Sequence, residues 1–417
     1  MQINYIRGFK DILPDETPIW QRIECEAKKI FHNFGYGEVK LPILEKTEVF
    51  TRSIGEYTDI VEKEMYTFLD KNGESITLRP EGTASVVRAI IQHKLYRNKA
   101  YKCYYMGPMF RYERPQKGRY RQFHQIGAEV FGIDDPMIDA ELIFMLNTLF
   151  DAVQLHEFYI ELNSLGCGIC RESFHTFLIS YLDKHYRELC EDCKRRVNLN
   201  PLRVLDCKNE ICKEIVKESP SILGYLCESC HDHFEKVKMY LNSLGVTFTV
   251  NNAIVRGLDY YNRTIFEFKA KGLGSQNAVA AGGRYDLLVE MFGGPPTPAL
   301  GFAIGLERLV SLVDGENRQG EGSKIFVAYI GDKARDIAFG LVNKIRKNGM
   351  YGEIDICGGS LKSQLKYADK CKSDYSVIIG ENEIESGNVI VRDMKSGHQK
   401  EYALNNFIEE FLSKCRS

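Results

Sequence analysis

The chain has 417 residues, which at roughly 100–200 residues per domain makes two or three domains. It is 44% hydrophobic and 27% charged, with 55 Lys and Arg against 57 Asp and Glu. A formal charge of -2 excludes a protein that holds nucleic acid by bulk positive charge, though not one with a local basic site. The first residues, MQINYIRGFKD, lack the apolar run of a signal peptide, and runs such as LIFML fall far short of the ~20 residues of a membrane helix. A cytoplasmic protein without membrane segments is therefore expected.

In chain order, Ile19 to Phe34 predicts a helix with Ile19, Ile23, Ala27, Ile30 and Phe34 on one stripe, stopped by Gly35 and Gly37. GEVKLPIL, ending at Leu44, reads as a strand. Its Pro42 lacks a ladder donor, so the strand belongs at an edge or pairs only in part. A helix is expected from Thr83 to His93, and strands at Tyr101–Tyr112, Phe123–Phe131, Thr247–Asn252 and Thr264–Ala270. The stretch from about Cys167 to Phe234 is mostly helical by pattern and interrupts strand-rich sequence, so it reads as an insertion.

That insertion holds eight of the 13 cysteines: Cys167, Cys170, Cys190, Cys193, Cys207, Cys212, Cys227 and Cys230. Six of them form three C-x-x-C pairs. Without a secretory signal, thiolate zinc ligation is the better reading than a disulfide framework. Two Cys₄ sites, one site with cysteines left over, or eight reduced thiols in a helical bundle all satisfy the spacing. Which pairs would share an ion is not legible. Such a zinc would be structural, with no open position for water, and would leave chemistry elsewhere untouched.

Asp314 to Ser323 (DGENRQGEGS) has three glycines and no apolar residue, the composition of a linker. Beyond it, KIFVAYIG, YGEIDIC and DYSVIIG alternate as strands with helices in ARDIAFGLVNKIRKNG and LKSQLKYADKC. A hairpin turning at Lys395 to Gly397 and a helix from Asn405 to Lys414 complete a small α/β domain.

Chemistry concentrates in GPMFRYERPQKGRYRQFHQIGAEVFG, from Gly107 to Gly132. Arg111 and Glu113 share one face, as do Gln125 and Glu129, and Arg114, Lys117, Arg119 and Arg121 crowd the loop between them. Inward charges need partners, and a charged ligand can supply them. A solvated basic hairpin is the plainer alternative.

The segment resembles motif 2 of the class II aminoacyl-tRNA synthetases, in the form found in the histidyl-tRNA synthetase family. TLRPEGT (from Thr77) resembles the amino-acid-binding loop, and VRGLDYYNRTIFEF (from Val255) and AAGGRYD (from Ala280) resemble two signatures of that family. ALGFAIGLERL (from Ala299) resembles motif 3, FGYGEVKLPILEKTEVF (from Phe34) the dimer-interface motif 1, and the tail from Lys324 an anticodon-binding domain. The set in this order covers essentially the whole chain.

The resemblance implies an α+β architecture. Residues 1–313 would form an antiparallel-sheet catalytic domain with a helical insertion, 314–323 a linker and 324–417 a C-terminal α/β anticodon-binding domain. It implies a homodimer that joins histidine to its tRNA through histidyl-adenylate, with Mg²⁺ accompanying ATP. Arg111, holding the α-phosphate and the histidine carboxylate, and Arg256 across the α-phosphate from it would be the catalytic and histidine-binding arginines, Glu113 would meet adenine, and Arg119 and Arg308 the γ-phosphate. Glu81, Thr83 and Gln125 would surround the histidine amino group, Glu129 and Tyr261 its ring, with Tyr260 lining the pocket. Gly282 and Gly283 would let backbone approach the adenylate, and Arg114 and Gln116 would meet the tRNA acceptor end. The tail carries 15 basic and 13 acidic residues, too mild an excess to argue RNA binding by itself. A catalytically silent regulatory paralogue of histidine biosynthesis is the alternative, against which stand four retained arginines and the tail. A zinc-bound RNA-binding protein without catalysis would explain the cysteines but not the arginines.

Overall fold

The computed structural model describes residues 3–55, 58, 60–116, 118–273, 277–313 and 323–411. The chain divides into two compact units, Met1–Asp314 and Gly315–Ser417. Of the expected linker, residues 314–322 lie outside the described residues.

In the first unit the strands run β1 (Gly37–Glu38), β2 (Leu44–Lys46), β3 (Tyr66–Leu69), β4 (Ser75–Leu78), β5 (Tyr101–Phe110), β6 (Gln122–Phe131), β7 (Phe158–Ser164), β8 (Thr249–Val250), β9 (Asn262–Ala270), β10 (Ala278–Arg284) and β11 (Ala299–Gly305). Eight of them form one sheet in the order β1-β5-β6-β11-β10-β9-β7-β8, while β2, β4 and β3 make a small second sheet. The ladder from β5 through β7 is antiparallel, and the short edge strands β1 and β8 add in parallel.

Period-two alternation loads both faces of this sheet. Ala128 and Val130 of β6 join one core with Phe266, Phe268 and Phe302, covered by the helices Thr17–Asn33, Pro136–Ala152 and Glu228–Ser243. Cys103, Tyr105 and Phe131 serve the opposite core with helix Thr83–Gln92 and most of the cysteine-rich segment. Glu129 sits between Ala128 and Val130 in β6, so it faces this second side, opposite Cys103 of β5 and Gly301 of β11.

Helix Thr17–Asn33 buries Ile23, Ala27 and Ile30 of its expected stripe, and Phe31 beside them. Gly35, at φ +81°, then turns the chain out of the helix. GEVKLPIL is not one strand but two. The break falls at Pro42, leaving β1 at the edge of the large sheet and β2 at the edge of the small one. Proline cannot donate to a ladder, and its carbonyl and that of Leu41 instead accept from Arg79 at 3.3 and 3.0 Å. The strand expected at Thr247–Asn252 shortens to β8. In the insertion, helix Glu228–Ser243 runs beyond Phe234 and places Phe234, Val237 and Leu241 in the first core, so the end of the insertion lies within a continuous helix.

The second unit holds β12 (Ile325–Tyr329), β13 (Gly352–Ile354), β14 (Tyr375–Ile379), β15 (Asn388–Asp393) and β16 (Gln399–Ala403) in the order β13-β12-β14-β15-β16. β12 lies parallel to β13 and β14, which explains why all its residues are buried. The hairpin forms where expected, with the Asp393 carboxylate accepting from Lys395 and Ser396 N–H groups and Gly397 at φ +73°. A short helix, Glu381–Ser386, escaped the sequence reading, and the last helix spans only Phe407–Glu410, residues from 412 lying outside those described. Among the described residues, no helix is long and apolar enough to cross a membrane.

Candidate functional site

A cavity of about 540 Å³ opens on the second face of the large sheet. Its floor comes from β6, β10 and β11, its walls from the β5–β6 loop and residues 251–261. At one end, Pro80–Glu81–Gly82 enters helix Thr83–Gln92. The Glu81 carboxylate accepts from the Thr83 and Ala84 backbone N–H groups at 2.6 and 2.8 Å, where the helix dipole favours negative charge. Burial still pushes its pKa up, against those two N–H groups and the Arg111 charge. Gly82 is required there, since a Cβ would lie 2.2 Å from the Tyr105 ring.

Glu129 is fully buried and accepts from Thr83 Oγ1 at 2.7 Å and from the Tyr285 hydroxyl. Gly301 makes room for it, because a Cβ there would fall 1.5 Å from Glu129 Oε2. Burial pushes the Glu129 carboxyl up to about 8, although both hydroxyls oppose this. A carboxyl raised in the fold holds a proton that the unfolded chain has released. Its contribution to stability is therefore present below the ordinary carboxylate pKa and lost as pH rises through about 8. The ligand-free protein should lose on the order of a few kcal/mol across that interval from this group. Thermal melts from about pH 5 to pH 9 should show the decline, and Glu129→Gln should flatten it. An unchanged slope in the variant would contradict the assignment.

Beside Glu81, the Tyr260 hydroxyl and Gln125 Oε1 are buried with no hydrogen-bond partner among the described residues. Both residues line the cavity. Orphaned polar atoms in a cavity wall call for a polar ligand.

Toward the opposite end the walls turn cationic. Arg111 donates to the Pro80 carbonyl at 2.8 Å and lies over the Phe123 ring. Arg119 pairs with Glu113 at 3.0 Å, and Arg308 donates to the Ala278 carbonyl at 2.6 Å. Burial and the nearby charges of Arg119 and Arg111 lower the pKa of Arg308. Three guanidiniums around Glu113 form a group that an anion would relieve. Arg256 donates to Glu267 at 2.7 Å and stands over the Tyr261 ring. Glu267 is shared with Lys269, which also holds Glu161.

Glu81, Thr83, Arg111, Glu113, Arg119, Gln125, Arg256, Tyr260, Tyr261 and Arg308 thus line one cavity, with Glu129 buried behind Thr83. Gly282 and Gly283 do not line it. A Cβ on Gly282 would meet the Gly301 carbonyl at 2.2 Å, and one on Gly283 the Thr264 carbonyl at 2.5 Å. Their smallness answers strand packing, and Ala278 to Ala281 present this strand to the cavity. Arg114 and Gln116 are exposed on the β5–β6 loop, and Lys117 lies outside the described residues. Three supporting residues escaped the sequence reading. Tyr285, within the quoted GGRYD, holds Glu129; Glu267 holds Arg256; and Glu307 accepts from the His124 backbone N–H at 2.9 Å, tying the helix that carries Arg308 to β6. All three lie inside motif segments of the sequence, Tyr285 in AAGGRYD, Glu267 in VRGLDYYNRTIFEF and Glu307 in ALGFAIGLERL, but spacing alone did not single out their supporting contacts.

The eight cysteines of the insertion gather into two tetrads, Cys167/Cys170/Cys227/Cys230 and Cys190/Cys193/Cys207/Cys212. Within each, the sulfurs lie within 4.8 Å of one another.

Comparisons with known proteins agree along the chain. The histidyl-tRNA synthetase family profile matches residues 8–174 and 195–309, and the anticodon binding domain profile residues 324–414. A histidine–tRNA ligase of Syntrophotalea carbinolica is 49% identical over 417 residues, covering 100% of both chains. One of Trichlorobacter lovleyi is 51% identical over 96% of each. The apo crystal structure of the Staphylococcus aureus histidyl-tRNA synthetase superposes with a TM-score of 0.83 at 34% identity, covering 98% of this chain and 100% of that one.

Proposed function

The chain belongs to the histidyl-tRNA synthetase family, and from that premise we propose how its residues carry the reaction of a histidine–tRNA ligase. In that reaction a histidine carboxylate oxygen attacks the α-phosphorus of ATP and pyrophosphate leaves. A hydroxyl of the tRNA 3′ end then attacks the adenylate carbonyl, and AMP leaves.

The observation that carries the assignment of roles is four arginines and the buried Glu81 carboxylate lining one cavity, with the Glu129 carboxylate buried behind Thr83. Glu81 takes the ammonium group of histidine, with Thr83 and Gln125 beside it, and Glu129 and Tyr261 take the two polarities of its ring. Tyr260, whose hydroxyl has no hydrogen-bond partner among the described residues, closes that pocket. Arg111 and Arg256 flank the reacting carboxylate and α-phosphate, where a guanidinium stabilises the charge that develops as the bond forms. Arg119 and Arg308 take the far phosphates, and Glu113 the adenine amino group. Mg²⁺ accompanies ATP and neutralises its phosphates. Arg114 and Gln116 meet the acceptor end of tRNA, the second unit reads the anticodon, and the protein works in the cytoplasm as a homodimer through motif 1. Zinc is the ion suited to the cysteine-rich insertion. A silent regulatory paralogue would have no use for the cationic end of the cavity.

Histidine-dependent exchange of pyrophosphate into ATP tests the reading, and its absence would refute it. A chain truncated after Gly322 should retain exchange, since every proposed catalytic residue precedes that point, but should aminoacylate tRNA poorly. Undiminished charging by the truncated chain would remove the anticodon role.

A further inference from the structure

We propose that the insertion binds two separate zinc-type ions, one per cysteine tetrad, and that both fix the active-site loop bearing Arg256 and Tyr261.

The sulfur geometry supports the ions. A tetrahedral tetrathiolate with metal–sulfur bonds of ~2.3 Å has sulfurs ~3.8 Å apart. Cys167 Sγ lies 3.6 Å from Cys170 Sγ and 3.9 Å from Cys227 Sγ, and Cys190 Sγ lies 3.8 Å from Cys207 Sγ. Backbone N–H groups already point at the sulfurs: Cys227 N at Cys170 Sγ (3.1 Å), Cys190 N at Cys212 Sγ (3.3 Å) and Asn209 N at Cys207 Sγ (3.4 Å). Such donors stabilise thiolate charge in an all-sulfur site. The helices between the ligands also need a staple. Glu191–Leu199 has 9 residues and Glu210–Lys217 has 8, lengths that are marginal without tertiary support.

The connection to chemistry runs through three side chains. Residues 251–261 contain no helix or strand, so their shape depends on what holds them. Arg171, next to Cys170 of the first tetrad, donates to the Tyr261 carbonyl at 2.8 Å. Arg203, between Cys193 and Cys207 of the second, donates to the Gly257 carbonyl at 2.6 Å. Asn200 from the same stretch donates to the Asp259 carboxylate at 3.0 Å. The second tetrad's stretch therefore holds the loop at Gly257 and Asp259 and the first holds it at Tyr261, and Cys207 itself lines the cavity. The expectation that metal leaves adenylate chemistry untouched gives way to a positioning role. This part rests on the place of Arg256 in the reaction proposed above.

The test uses the full chain, reduced, supplied with Zn²⁺ and freed of excess ion. Mass-spectrometric metal analysis should find two zinc per chain, and Co²⁺ in its place should give the absorption of a tetrahedral tetrathiolate. Cys167→Ser/Cys227→Ser and Cys190→Ser/Cys207→Ser should each retain one ion. Less than a tenth of an equivalent in the parent, or a single ion, overturns the two-site assignment. For the coupling, Arg203→Ala should keep both ions yet lower kcat of histidine-dependent pyrophosphate exchange about tenfold or more, since small misplacements of reacting groups are costly. The KM for ATP should stay within a few-fold, and Arg203→Lys, which can still reach one carbonyl, should recover part of the rate. Parent-like kcat in Arg203→Ala overturns the coupling. Absence of exchange by the parent would refute the enzymatic reading and the coupling with it, while the metal count would stand by itself.

Discussion

Arg256→Ala should lower the rate of histidyl-adenylate formation by about 10² or more and leave histidine binding close to that of the parent. The magnitude is that of removing one preorganised donor from a transition state in which charge develops on phosphoryl oxygens. The surroundings make the substitution clean. Glu267, which accepts from Arg256, retains Lys269 at 3.2 Å and so is not stranded as a buried unpaired charge. Lysine would not replace this arginine fully, because it brings a single rotating ammonium in place of a planar fork. Pyrophosphate exchange at saturating histidine measures the effect. A variant within a few-fold of the parent would remove Arg256 from the reaction.

Glu129→Ala should weaken histidine by about 10²-fold or more in kcat/KM while changing the KM for ATP only a few-fold. A site built to hydrogen-bond its substrate loses most when one buried polar partner disappears. Here the loss is compounded inside the protein. Thr83 Oγ1 and the Tyr285 hydroxyl both donate to Glu129, and truncation leaves both buried groups without this acceptor. Steady-state kinetics with each substrate varied in turn separates recognition from damage. Equal losses for histidine and ATP would mean a disturbed fold and not a lost contact.

Much of the site was legible because its residues sit close together in sequence on regular elements. Arg111, Glu113, Gln125 and Glu129 belong to one hairpin, and strand alternation already turned them inward. Helix Thr83–Gln92 was legible by its period, but not the fact that Glu81 binds its first N–H groups. For Gly282 and Gly283 the sequence did not show that a Cβ would meet the carbonyls of Gly301 and Thr264 on neighbouring strands.

Chain-local chemistry determined the C-x-x-C pairs, the edge placement of the segment holding Pro42, the hairpin turn at Lys395 to Gly397 and the arginines of the β5–β6 loop, since each depends on residues a few positions apart. The tertiary structure alone decided that Cys167/Cys170 meet Cys227/Cys230, about sixty positions away, while Cys190/Cys193 meet Cys207/Cys212. It alone brought Tyr285 onto Glu129 across 156 positions, and Arg203 onto Gly257 across 54. Spacing along a chain fixes geometry only within one element. Between elements, partners are chosen by how the sheet and helices pack, and packing is a property of the whole core.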